Sequence, residues 1–90
     1  MTQPLAGKHI LIVEDEPVFR SLLDSWLSSL GAITSLAEDG IDALEKMISI
    51  TPDLMICDIE MPRMNGLKLV EHLRNEGNQT PILVLSLIHI

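Results

Sequence analysis

A chain of 90 residues has room for one small domain and not for two. With 47% hydrophobic and 21% charged residues it is composed like a globular protein, and its 2% aromatic content leaves an aliphatic core of Leu, Ile, Val and Met. A net charge of -7 argues against a nucleic-acid surface, which needs clustered Lys and Arg. Cys57 is the single cysteine, so no internal disulfide forms and a reducing, cytoplasmic setting is expected. Met1–Lys8 lacks the apolar stretch of a signal peptide, and no segment reaches the roughly 18 uninterrupted apolar residues of a membrane helix.

His9–Val13 (HILIV) is a short apolar run that predicts a buried strand, and it ends in Glu14-Asp15-Glu16. Pro17 suits a first helical turn, where its missing N–H costs nothing. Val18, Phe19, Leu22, Leu23, Trp26, Leu27 and Leu30 then recur at helical spacing until Gly31. On that spacing Trp26 is expected in the core. Ala32–Leu36 predicts a weaker strand, and Asp39-Gly40 a turn or helix cap. Ile41, Leu44, Met47 and Ile48 form the apolar stripe of a second helix, with Asp42, Glu45 and Lys46 outside it, and Thr51-Pro52 breaks it. Leu54–Cys57 (LMIC) is another short apolar run ending in a carboxylate, Asp58. A loop over Met61–Gly66 precedes a helix carrying Leu67, Val70, Leu73 and Arg74. Gly77-Asn78 closes it, and Ile82–Leu85 predicts a fourth strand.

The order β-α-β-α-β-α-β, with fully apolar strands, implies a parallel sheet covered on both faces. Right-handed crossovers place the C-terminal ends of all strands along one edge, where open α/β sheets hold ligands. Glu14 and Asp15 end one strand and Asp58 another, so they converge if those strands are neighbours. Like charges packed together raise one another's pKa, and a hard cation such as Mg²⁺ relieves that repulsion. The chemistry suggested is phosphoryl transfer onto Asp58. Each acid alone has a plainer reading: Asp15 or Glu16 as a helix cap, Asp58 as a turn residue. Cys57, inside an apolar strand, reads as an inert core thiol. His9, His72 and His89 lack metal-ligand spacing. Arg63 reads equally as a contact for a partner or phosphate and as a solvated side chain.

ILIVEDE (Ile10–Glu16), Asp53–Asp58 and Met61-Pro62-Arg63-Met64-Asn65-Gly66 resemble the bacterial response-regulator receiver family, whose signature runs D-x-x-M-P-x-M-x-G. The resemblance spans Lys8–Ser86. It implies a flavodoxin-like, doubly wound α/β fold of strand order 2-1-3-4-5, and a phospho-acceptor in two-component signalling rather than an enzyme. Asp58 would be the acceptor, and Asp15 and Asp58 ligands to Mg²⁺. Glu14 would act through the metal's water shell and Glu60 through its backbone carbonyl, with Ser86 as the switch hydroxyl. Phosphoryl groups would come from a histidine kinase or a small phosphodonor. LIVEDEPVFRSLLDSW and TPDLMICDIEMPRMNGLKLVEHLR are similar to receivers of adaptors that deliver the sigma factor RpoS to the ClpXP protease. That similarity implies RpoS, ClpXP and anti-adaptors as partners.

Against the family pattern, the fifth strand, the fourth and fifth helices and a phosphoryl-clamping Lys have no counterpart in this chain. Residues 1–86 are thus expected to be a partial receiver that holds Mg²⁺ weakly and is inactive in signalling by itself. Its fourth strand would be an unprotected, aggregation-prone edge. The tail, residues 87–90, resembles nothing in the family. The codons CTG TCT CTT ATA CAC ATC would encode Leu85–Ile90 and also spell a transposon end used in sequencing libraries, a reading that the coding nucleotides test. The enzyme alternative is a haloacid-dehalogenase-type phosphatase with Asp58 as nucleophile, loosely imitated by Asp58-Ile59-Glu60. It leaves Glu14 and Asp15 unexplained.

Overall fold

A computed structural model describes residues 3–85; Ser86 and the tail at 87–90 lie outside the described residues. The elements are β1 (His9–Val13), α1 (Pro17–Ser29), β2 (Ile33–Ala37), α2 (Gly40–Lys46), β3 (Leu54–Asp58), α3 (Gly66–Asn75) and β4 (Ile82–Leu85). All strand pairs are parallel, in the order β2-β1-β3-β4. The expected topology is therefore present over its first four strands, and β1 and β3 are the two central ones. Val13 is in register with Cys57, so Glu14 and Asp58 both follow directly at the sheet's C-terminal edge.

Strand alternation divides the core. Leu11, Val13, Met55 and Cys57 point to the face covered by α2 and α3, where they pack with Ala43, Leu69 and Leu73. Ile10, Ile12 and Ile56 point to the other face, against Leu27 and Leu23 of α1 and Leu5 of the N-terminal segment. Two described helices thus cover one face and a single helix the other. Burial of these aliphatic chains contributes about 1.5–3 kcal/mol each and is the main force holding the layers together.

Four expectations need correction. Trp26 is 60% exposed and not core. Leu23 and Leu27 face the sheet, whereas Val18, Leu22 and Trp26, spaced four apart, lie along a line that no other described helix covers. Ile48 is 86% exposed because α2 ends at Lys46, before the stripe reaches it. On α3 the buried line is Gly66, Leu69 and Leu73, while Leu67 faces outward. β2 begins at Ile33 and ends at Ala37, one residue later at each end than its pattern predicts.

Candidate functional site

The first acidic cluster is built by the end of β1 and the start of α1. Glu16 is the N-cap of α1: its carboxylate accepts the Phe19 N–H at 2.7 Å, and Pro17 follows in the first turn. That assigns the capping role to Glu16 and leaves Asp15, which is exposed, without it. Glu14 is buried to 2% exposure. Its Oε1 accepts the Glu16 N–H at 3.2 Å, and its backbone carbonyl accepts from Arg20 Nη1 at 2.7 Å. Burial pushes the Glu14 carboxyl up to about 7 against the Glu16 hydrogen bond, with the Asp58 and Asp15 charges adding to the rise.

Asp58 closes β3 and is also buried. Its Oδ1 accepts the Glu60 N–H at 3.3 Å, so the plainer turn-residue reading describes part of what it does. The loop Ile59–Asn65 leaves the sheet here and returns through the Gly66 N–H, which donates to the Ile59 carbonyl at 2.8 Å. Gly66 is required by closeness: a Cβ at this position would run into the Asp58 carbonyl oxygen. Asn65 caps α3 by accepting the Lys68 N–H at 2.9 Å.

These elements enclose an open crevice of about 800 Å³ lined by Glu14, Asp15, Glu16, Phe19, Asp58, Ile59, Glu60, Met61, Pro62 and Asn65. One carboxylate oxygen from each of Glu14, Asp15 and Asp58 lies within 4.8 Å of the others. Such an all-oxygen set, with one member pushed toward protonation by burial and by the neighbouring Asp58 and Asp15 charges, fits a hard divalent cation. Glu60 lines the same crevice; Ser86 is outside the described residues.

The remaining candidates fall elsewhere. Cys57 is buried beside Asp58 with its thiol pushed up to about 11, first by burial, so it stays protonated and inert. The His9 ring meets Ser35 Oγ at 2.7 Å at the opposite end of the sheet, and His72 pairs with Glu76 on α3. His89 is outside the described residues. Arg63 is neither free nor in the crevice: its guanidinium grips Asp39, with Nε to Oδ2 at 2.6 Å and Nη2 to Oδ1 at 3.1 Å. Sequence spacing could not have found this pair, because its partners are 24 residues apart; only the cap role of Asp39 was readable.

A four-stranded parallel sheet of order 2-1-3-4 with acids gathered at the ends of its two central strands is the architecture of a signal-receiving α/β domain. A family profile described as response regulator receiver domain matches residues 10–89, and the chain belongs to that family. It is 77% identical over 86 residues to the Regulator of RpoS of Escherichia coli K12, covering 96% of this chain and 26% of that protein. The response regulator MprA of Mycobacterium ulcerans is 43% identical over 78 residues, or 34% of its length. The chain thus spans about a quarter to a third of these relatives. Among solved structures, the Thermotoga maritima response regulator TrrA in complex with Mg²⁺-BeF is similar at a TM-score of 0.82 and 40% identity, over 88% of this chain and 69% of that one. The receiver domain of the Pseudomonas aeruginosa sensor kinase PA1611, with magnesium in its active-site cleft, matches at 0.81 and 32%, over 88% and 66%. The phosphatase alternative gains nothing from these similarities.

Proposed function

We propose that Asp58 is the phosphoryl acceptor of this receiver and that its uptake of phosphate depends on Mg²⁺. The observation that carries the reading is the convergence of Glu14, Asp15 and Asp58 oxygens within 4.8 Å at the C-terminal edge of β1 and β3. Asp15 and Asp58 would hold the cation directly, with the Glu60 backbone carbonyl, and Glu14 through its water shell. Bound there, Mg²⁺ supplies positive charge against the attacking and transferring oxygens. In the transfer an Asp58 carboxylate oxygen forms a bond to phosphorus as the bond from phosphorus to the donor's leaving group breaks, and that group departs with the electron pair. The product is an acyl phosphate. The donor is a histidine kinase or a small phosphodonor, and Ser86 would respond as the switch hydroxyl. Through the identity to the Regulator of RpoS, the parent protein acts on RpoS in the cytoplasm, together with ClpXP and anti-adaptors. It is a regulator rather than an enzyme.

Incubation with acetyl phosphate and Mg²⁺ tests the reading by intact mass. One alkali-labile phosphoryl group per chain is expected, absent without Mg²⁺ and absent in Asp58→Asn. A wild-type chain that gains no phosphoryl group with Mg²⁺ present, or an Asp58→Asn variant that gains one, would overturn the reading.

A further inference from the structure

The loop after Asp58 is gripped from behind by an ion pair that does not touch the crevice. Asp39 is 3% exposed, yet both of its oxygens are engaged by Arg63, and Oδ1 also accepts the Asp42 N–H at 2.9 Å. Next to this pair, the Gly40 N–H donates to the Met64 carbonyl at 3.3 Å, and a Cβ on Gly40 would stand 2.8 Å from the Met64 side chain and carbonyl. The apex of the loop is therefore pressed against the first turn of α2. A bidentate Arg–carboxylate fork fixes orientation as well as distance, and here one partner is buried on a rigid element. Met61 is buried in the core cluster, and the Gly66 N–H fastens the loop's base to Ile59. Between these anchors lies Glu60, whose N–H reaches Asp58.

We infer that the Asp39–Arg63 pair is a clamp that positions the Ile59–Asn65 loop, and with it the Glu60 backbone, for cation binding beside Asp58. Arg63 and Asp39 are positioning residues: neither lines the crevice. The inference rests on the proposed Mg²⁺-dependent acceptor.

The test is Mg²⁺ affinity by calorimetric titration, together with the rate of phosphoryl uptake from acetyl phosphate as a function of Mg²⁺ concentration, in the wild-type chain, Arg63→Gln, Arg63→Lys and the neutral pair Asp39→Asn/Arg63→Gln. The paired variant leaves no buried unpaired charge. Leu23→Ala, on the opposite face of the sheet, serves as a destabilised control. Arg63→Gln and the paired variant should need about tenfold more Mg²⁺ for half-maximal rate, as expected when a group supporting a metal site is lost. Their rate at saturating Mg²⁺ should be near wild type. Arg63→Lys, which keeps the charge but not the fork, should fall between, and Leu23→Ala should not shift the half-saturating concentration. An unchanged Mg²⁺ requirement in the Arg63 variants, or an equal shift in Leu23→Ala, overturns the clamp and leaves the acceptor reading intact. A wild-type chain that takes up no phosphoryl group at any Mg²⁺ concentration overturns both.

Discussion

Glu14, Asp15 and Glu16 are three consecutive acids with three different tasks, and their environments separate them. Glu16 holds the first turn of α1, so Glu16→Ala should cost about 1 kcal/mol in urea unfolding. Asp15 is exposed and caps nothing, so Asp15→Ala should change metal-free stability by less than about 0.5 kcal/mol while weakening Mg²⁺ binding. Asp39 gives a pH signature. The Arg63 hydrogen bonds outweigh burial and, with the Asp42 N–H, hold its carboxyl below the ordinary 3.8. A carboxyl lowered in the folded state stabilises above its unfolded value and loses that contribution as pH falls through its folded value. The stability difference between wild type and Asp39→Asn should therefore be constant from neutrality to about pH 5 and shrink in more acidic solution, as read by urea midpoints.

Among the elements, the β3–loop–α3 unit is the least tolerant of change. Gly66 begins α3 directly against the Asp58 carbonyl, so a methyl group there must push the helix or the strand end aside. Gly66→Ala is expected to cost about 3 kcal/mol, near the upper end for overpacking, and to slow phosphoryl uptake because Asp58 itself is displaced. On the same helix Leu69 is fully buried and Leu67 is 60% exposed. Leu69→Ala should cost about 2–5 kcal/mol and Leu67→Ala less than about 0.5 kcal/mol, a contrast that thermal or urea melts resolve.

The molecule as described is asymmetric. α2 and α3 cover one face of the sheet, while on the other α1 lies over β1 and β2. Leu83 on β4 is half exposed, Leu22 and Trp26 on α1 are more so, and among the described residues β4 pairs only with β3. A parallel sheet normally has both faces covered, and an apolar edge strand invites pairing with another chain. Self-association that rises with concentration is expected for this chain in light scattering, and Leu83→Lys should suppress it without unfolding the domain. A strictly monomeric wild type at high concentration would count against this account.

Local pattern was enough for the order of strands and helices, for Glu14, Asp15 and Asp58 at strand ends, and for Cys57 as a core thiol. Each depends on periodicity or on near neighbours in the chain: HILIV and LMIC are short apolar runs set between helical stripes, and their length favours buried strands over helices. Burial and partnership were decided only by packing. The α1 stripe holds both Leu27 and Trp26, and the sheet selects one of them. The acidic triplet reads alike at every position, until the fold buries Glu14, turns Glu16 into a cap and leaves Asp15 facing the crevice. The role of Arg63 stayed open in the sequence because its partner is 24 residues away, brought close by the β2-α2-β3 crossover. Periodicity says which residues share a face; what that face meets depends on contacts distant in the chain, and on those contacts the surroundings of Asp58 depend.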